Sequence, residues 1–475
     1  EIYTMVDTLS LHDALPITRH YVDIVTAAGA RRVHYRKCGS TGPTLLMAHQ
    51  SPRSSAEYEP LMREWSRHFT CIAPDTPGFG QSDRLARPEP GIEDYADAIV
   101  EFIDAMGLAG TLAYGFHSGG IILVTALRRH PDRFRALAIG GYAIWTPQEV
   151  ALFGQNYLPH FLPSAYGEHL TWLWNRMLEQ TWFFPWFDTR NETRMSVAQD
   201  DPAYVHGGVI DMLDAGNAYR DGYGAVINAP RDIPAEGDAV PPCLITAYNG
   251  DPLQAHIDRL GAVPSNWEAR KVATPTDHYA ASAEFLLAQG GVVAGDLPET
   301  HDAGFVAVRT AAFDGLIHWS GRRNSEVLTV HAPARSGALV DAPGSLVIDL
   351  PGHGLSHGWI GAAPSDWAPW QEVIDAVAAA LGASRVAFEP LPEGDAERLY
   401  PDLSPDRHGA YLTRAWNIVR AERFFAPWYV ASKATAIPFS PDAITPEALA
   451  KAHLARLRGV AAAACHRARQ AAGIL

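Results

Sequence analysis

The chain has 475 residues, of which 47% are hydrophobic, and this length predicts two or three domains with buried cores. Its formal net charge of −15 argues against nucleic acid or an anionic membrane surface as a partner, because both need clustered basic side chains. No apolar run reaches the ~18 residues of a transmembrane helix. The four cysteines have no metal-type spacing, and we expect them to be reduced. We therefore predict a cytoplasmic protein that needs no metal or organic cofactor.

Residues 1–17 do not read as native protein. Residues 8–17, TLSLHDALPI, look like a translated sequencing adapter, and the chain does not begin with Met. We therefore predict a non-native leader, and the presence of an export signal stays open. From residue 18 onward, short apolar runs alternate with helical patterns. This alternation predicts a parallel sheet with helices on both faces.

The stretch at residues 111–120, TLAYGFHSGG, reads as a strand, a tight turn and a helix. Small residues around Ser118 would let a strained turn push its hydroxyl out at the carboxyl end of the strand. This pattern resembles the nucleophile elbow of the α/β-hydrolase fold family, with Gly115 three residues before the serine. Phe116 then stands where the family pattern G-x-S-x-G has glycine. The resemblance implies an α/β-hydrolase sheet with a helical cap, and Ser118 as the nucleophile.

Further motifs resemble the same family. The segment at residues 49–52, HQSP, is similar to its H-G-x-P loop with Gln50 in place of glycine, which implies an oxyanion hole built by the N–H groups of Ser51 and Gly119. An apolar run ends at Asp251, and His278 follows 27 residues later, in the chain order of the fold. The resemblance implies that Asp251 orients His278, which acts as the general base.

An aromatic segment at about residues 146–235 matches the place of the family's cap. Most of its aromatic side chains are expected to join the cap to the core. We expect Trp182 and Trp186 to bind substrate, which would favour an apolar or aromatic group. The catalytic domain is predicted to span residues 18–295.

Residues 296–475 repeat the first part of the chain. Asp349 in VIDLPGHGLS corresponds to Asp75 in APDTPGFGQS, and the segment YLTRAWN at residues 411–417 corresponds to HLTWLWN at residues 169–175. No serine stands where the second elbow should be. We predict a tandem duplication whose second copy is a degenerate, non-catalytic hydrolase-like domain with a cap-like segment at about residues 405–470. We expect it to pack on the first copy like a fused dimer partner, and further oligomerisation stays open.

The predicted function is that of a carboxylesterase-like serine hydrolase. It would cleave an ester, lactone or thioester of a small apolar or aromatic substrate through an acyl-enzyme. Family members with dehalogenase or epoxide-hydrolase activity use an aspartate nucleophile, so Ser118 argues against both reactions. Two alternatives stay open. One is hydrolysis of a C–C bond, and the other is a non-catalytic binding or scaffold role, suggested by Phe116 and Gln50 at glycine positions.

Overall fold

A computed structural model of the protein describes residues 15–26, 29–154, 156–196, 198–298 and 300–475. The chain forms two compact units. Unit 1 comprises the chain up to Phe161 together with Arg176–Gln199 and Gly207–Glu299, and unit 2 comprises Leu162–Asn175, Asp200–His206 and Thr300–Leu475. The division near residue 300 lies close to the predicted domain boundary. Two short segments of the predicted cap, however, belong to unit 2.

Unit 1 contains an eight-stranded sheet in the order β1-β2-β4-β3-β5-β6-β7-β8. Strands β1, β2 and β4 pair antiparallel, and all other neighbours pair parallel. Strands β3 and β4 are buried at every position, as expected for strands covered by helices on both faces. The bounds are β1 Thr18–Thr26, β2 Gly29–Cys38, β3 Thr44–Ala48, β4 Thr70–Pro74, β5 Thr111–Phe116, β6 Phe134–Gly140, β7 Cys243–Tyr248 and β8 Trp267–Val272.

Helices flank this sheet and follow it in the cap region. The helix that follows β5 starts directly at the predicted elbow, so the strand, turn and helix of the sequence prediction are present. Among the described residues of the predicted cap there are four α-helices, and two of them, α5 and α6, begin in unit 2 and end in unit 1. The bounds are α1 Glu59–Trp65, α2 Ile92–Ala105, α3 Ser118–Arg129, α4 Pro147–Phe153, α5 Glu168–Glu179, α6 Pro202–Ala215, α7 Tyr219–Ile227 and α8 Pro275–Ala288.

Unit 2 contains a five-stranded sheet in the order β13-β11-β12-β10-β9. Read from the other edge, this is the order of the first five strands of unit 1. Strand β11 pairs parallel with β12 and β13, as β3 does with β4 and β5. The bounds are β9 Ala303–Arg309, β10 Asp314–Gly321, β11 Val327–Val330, β12 Leu346–Ile348, β13 Arg385–Phe388, α9 Ala368–Leu381, α10 Ala396–Leu399, α11 Ala410–Ala421, α12 Pro446–Leu457 and α13 Ala462–Ala471.

The turn after the fourth strand is built in the same way in both units. In unit 1, the Asp75 carboxylate contacts His34 Nδ1 at 2.8 Å, and a Cβ on Gly80 would lie 2.1 Å from that carboxylate. In unit 2, Asp349 contacts His318 Nδ1 at 2.9 Å, and a Cβ on Gly354 would lie 2.2 Å from its carboxyl carbon. Only glycine fits such a close approach, which explains the D-x-P-G-x-G spacing of both turns. The sheets and their flanking helices confirm the predicted α/β fold class. The duplication stays a prediction, which the matching turns support.

The predicted leader falls mostly outside the described residues, which begin at Leu15. Ile17, which we assigned to the leader, is 8% exposed and belongs to the core cluster of β3 and β4. The end of this segment therefore packs with unit 1. Within the part of the chain that the structure describes, no helix combines the length and the apolar character needed to cross a membrane.

Candidate active site

The strained residue of the elbow is His117. It joins β5 to α3 with φ 49° and ψ −108°, a conformation that a side-chain-bearing residue rarely adopts. Glycines stand two residues to either side. A Cβ on Gly115 would lie 2.7 Å from the carbonyl carbon of Gly119, and a Cβ on Gly119 would lie 1.9 Å from the Ala48 oxygen. The motif is therefore G-x-H-x-G, one residue earlier than our alignment on Ser118 placed it.

The imidazole of His117 pairs with Asp251, at the end of β7. His117 Nε2 donates to Asp251 Oδ1 over 3.0 Å, and the same oxygen accepts the Leu253 N–H at 2.8 Å. The Asp251 side chain is fully buried, whereas 21% of the His117 side chain is exposed. Burial by itself would raise the pKa of Asp251, but the charge and hydrogen bond of His117 outweigh it and hold that pKa below its usual value.

A glycine makes room for this pair. Gly141 follows β6 with φ 59°, and a Cβ there would lie 2.7 Å from His117 Cδ2 and 2.9 Å from Asp251 Oδ2. Asp251 Oδ2 is buried and has no hydrogen-bond partner among the described residues. The site thus holds a buried carboxylate that accepts a hydrogen bond from the elbow histidine through one of its oxygens.

The structure does not join His278 to Ser118 or Asp251. Its Nδ1 is 2.5 Å from the Thr246 hydroxyl and its Nε2 is 2.7 Å from the Tyr114 hydroxyl, so hydrogen bonds occupy both ring nitrogens. Burial lowers the pKa of His278 to about 4, which keeps the ring neutral near pH 7. Helix α8 begins at Pro275 and places His278 in its first turn, where the ring is buried instead of open to Ser118.

Ser118 lies at the first position of α3 and is 4% exposed. Its hydroxyl accepts the Ser51 N–H at 3.2 Å, the one hydrogen bond it makes to residues whose positions the structure describes. The expected triad of Ser118, Asp251 and His278 is therefore not assembled by hydrogen bonds. With His117 at the elbow position, the backbone N–H that follows the elbow residue is that of Ser118, whereas the sequence predicts the Gly119 N–H as a donor.

The loop that carries Ser51 is anchored by Gln50, at the family's glycine position. Its backbone N–H and its side-chain amide donate to the two Glu57 carboxylate oxygens over 2.8 and 3.0 Å. Burial is the largest influence on Glu57 and raises its pKa. The glutamine therefore fixes the loop by side-chain contacts that a glycine could not make.

A narrow apolar cavity opens at His117. Phe184 from the cap lines it, whereas Trp182 and Trp186, which we predicted as substrate contacts, do not. Trp182 Nε1 donates to the Gln199 carbonyl at 2.6 Å, and Trp186 Nε1 donates to the Tyr157 carbonyl at 3.2 Å. These two indoles hold cap segments together, and no pattern in the sequence separates them from Phe184. The lining comprises His117, Ser118, Ile121, Ala143, Trp145, Phe153, Tyr157, Phe184, Tyr223, Val226, Ile227 and Leu253.

Over the described residues 300–475, unit 2 has no comparable elbow after its fifth strand. There, Glu389 accepts the Ala332 N–H at 2.9 Å and forms an ion pair with Arg335 at 3.0 Å. Ala332 occupies the place of Gln50 in the repeat, so the Glu389 carboxylate lies where unit 1 has the elbow. No group of three or more His, Cys, Asp or Glu residues within the described ranges has a geometry that could hold a metal ion.

Comparison with known proteins relates part of the chain to a family of known fold. Residues 43–221 match the model of the alpha/beta hydrolase fold. The chain is 34% identical over 121 residues to haloalkane dehalogenase 2 from Mycobacterium tuberculosis, which covers 26% of this chain and 42% of that protein. It is 36% identical over 120 residues to 2-(acetamidomethylene)succinate hydrolase from Mesorhizobium japonicum, covering 25% of this chain and 42% of that protein.

Among solved structures, a hydrolase from Pseudomonas aeruginosa aligns with 17% identity and a TM-score of 0.42, over 56% of this chain and 98% of that one. The chain spans less than half the length of the two curated relatives above. The family model covers β3 to β6 with the elbow between β5 and α3, whereas Asp251 lies beyond the matched residues. Residues 43–221, which hold β3 to β6 and the elbow, therefore belong to the α/β-hydrolase fold family.

Proposed function

We propose that unit 1 hydrolyses a small ester, or a related carboxyl derivative, with His117 as the general base and Asp251 as its orienting carboxylate. The observation that carries the proposal is the 3.0 Å hydrogen bond between these side chains at the strained apex of the elbow. Strain of this kind is kept where the surrounding structure enforces it, and it concentrates at functional sites.

The hydrogen bond sets the tautomer of His117. Because Nε2 donates its proton to Asp251, Nδ1 keeps a lone pair, and among the described residues it has no hydrogen-bond partner. Nδ1 can therefore take a proton from water as the water oxygen adds to the substrate carbonyl. The buried carboxylate stabilises the imidazolium that forms. His117 then returns the proton to the leaving alcohol, so that ester and water give acid and alcohol.

Two backbone N–H groups are available for the oxyanion. The Ser51 N–H points to the elbow and donates to the Ser118 hydroxyl. The Ser118 N–H lies at the first position of α3, where backbone N–H groups have no partner within the helix. A substrate oxygen would displace the Ser118 hydroxyl from the Ser51 N–H. Each such donor is typically worth about 3 kcal/mol in the transition state.

The cavity lining favours a compact apolar or aromatic substrate group. Apart from His117 and Ser118, its members are aliphatic or aromatic, with the two tyrosines Tyr157 and Tyr223 bonded to each other at 2.9 Å. Their hydroxyls thus satisfy each other instead of facing the cavity unpaired. Such a pocket selects by shape and apolar contact rather than by charge.

The test is hydrolysis of a panel of p-nitrophenyl esters by the full chain and by His117→Ala, His117→Gln and Ser118→Ala. We expect both His117 variants to lose at least a hundredfold in kcat/KM. Ser118→Ala should retain or exceed the wild-type rate, since it frees the Ser51 N–H. The reverse result, with loss of activity and of fluorophosphonate labelling in Ser118→Ala, would restore the serine mechanism. A folded wild-type chain without any hydrolysis or labelling would instead favour a binding role.

A further inference from the structure

Unit 2 contains two equivalent helices that contact each other. Helix α5 begins at Glu168 and α11 at Ala410, both have twelve residues, and the two starts are 242 positions apart. The first part of α5, up to Asn175, belongs to unit 2. We call residues 165–175 and 407–417 the helix seam.

The seam contacts come in matched pairs. A Cβ on Gly167 would lie 2.9 Å from the Trp416 ring, and a Cβ on Gly409 would lie 2.3 Å from the Trp174 ring. Both glycines have positive φ, 84° and 67°. Since Gly409 and Trp416 lie 242 positions after Gly167 and Trp174, each tryptophan packs on the glycine of the other copy.

The polar and aromatic contacts follow the same rule. Trp174 Nε1 donates to the Arg407 carbonyl at 3.1 Å, and Trp416 Nε1 donates to the carbonyl of Ala165, the equivalent residue, at 3.4 Å. Tyr411 packs edge-on against Trp174 with ring centroids 5.8 Å apart. Its equivalent His169 packs edge-on against Trp416 at 4.9 Å.

An arrangement in which residue i of one copy contacts residue j of the other, while j contacts i, defines an isologous interface with a two-fold axis. Such an interface forms between identical, self-complementary surfaces. We propose that residues 165–175 are a self-complementary docking surface for a second copy of the same repeat, and that residues 407–417 occupy it within this chain. The second repeat thereby replaces the partner subunit of a symmetric dimer at this surface.

Double-mutant cycles in the full chain test the pairing. The paired cycles combine Gly409→Ala with Trp174→Leu, and Gly167→Ala with Trp416→Leu. In both, we expect the double variant to unfold at a higher urea concentration than additivity predicts, because the smaller side chain relieves the clash of the added methyl. The control cycles combine Gly409→Ala with Trp416→Leu, and Gly167→Ala with Trp174→Leu. We expect these cycles to be additive. Additivity in all four cycles, or coupling in only one of the paired cycles, would overturn the proposal.

Self-association of variants tests whether a second copy of the repeat can bind residues 165–175. Gly409→Val forces a branched side chain into the Trp174 ring at positive φ and should open the seam, which exposes residues 165–175. We expect this variant to form dimers with rising concentration in sedimentation velocity, while the added Gly167→Val blocks the same surface and returns monomers. A Gly409→Val chain that stays monomeric, or that associates equally with and without Gly167→Val, would contradict a self-complementary surface. If the valine variants do not fold, the cycles above decide.

Discussion

Gly141→Ala tests whether the His117–Asp251 pair carries the reaction, without removing either functional group. The new Cβ would lie 2.7 Å from His117 Cδ2, 2.8 Å from its Nε2 and 2.9 Å from Asp251 Oδ2. These distances are too short for a carbon atom, so one member of the pair must move. Because Asp251 is fully buried and fixed by the Leu253 N–H, we expect His117 to be displaced.

The expected loss in the free energy of unfolding of Gly141→Ala has two parts. Alanine at φ 59° carries about 1–2 kcal/mol of backbone strain. Loss of the hydrogen bond to a buried carboxylate adds about 2 kcal/mol. The free energy of unfolding should therefore fall by about 3–4 kcal/mol. A shift of the imidazole by about 1 Å should lower kcat by about a hundredfold.

Gly216→Ala is the matched control. Gly216 also has positive φ, 52°, but a Cβ there meets no atom within 4 Å. The Gly216→Ala variant should lose only the stability that backbone strain removes, and it should keep its ester turnover. Urea unfolding and p-nitrophenyl ester kinetics on both variants measure the two effects. Equal turnover in Gly141→Ala and Gly216→Ala would refute the reasoning that this pair performs the chemistry.

Two further predictions concern stability. The pKa of His278, lowered by burial to about 4 from 6.5, means that the unfolded chain binds a proton between these pH values while the folded chain does not. Stability should therefore fall as pH drops from 6.5 to 4, and His278→Gln should reduce that slope by up to about 1.4 kcal/mol per pH unit in urea titrations. A slope equal to that of the wild type would contradict a neutral His278. Gly354→Ala, which drives a Cβ into the Asp349 carboxylate, should destabilise unit 2 by about 3 kcal/mol. Gly358→Ala, in open space, should change stability by less than about 0.5 kcal/mol, and equal effects in calorimetry would refute the clash.

The fold was predictable because its signals are local. Alternating apolar runs and helical periods indicated the parallel sheet, and the D-x-P-G-x-G turns marked the same strand end in both units. The elbow was located correctly between β5 and α3. Its register differs from the predicted one by a residue, because the close backbone approaches at Gly115 and Gly119 place His117 at the apex.

Sequence alone determined the strand order of the motifs, the place of the elbow and the position of Asp251 at the end of β7, since backbone geometry depends on neighbouring residues. Tertiary structure decided which side chain Asp251 binds, because His117 lies 134 positions away and reaches it only across the sheet edge. It also decided the hydrogen-bond partners of His278, whose two ring nitrogens contact hydroxyl groups from β5 and β7. Such pairings depend on side-chain directions and burial, which arise only when distant strands pack together.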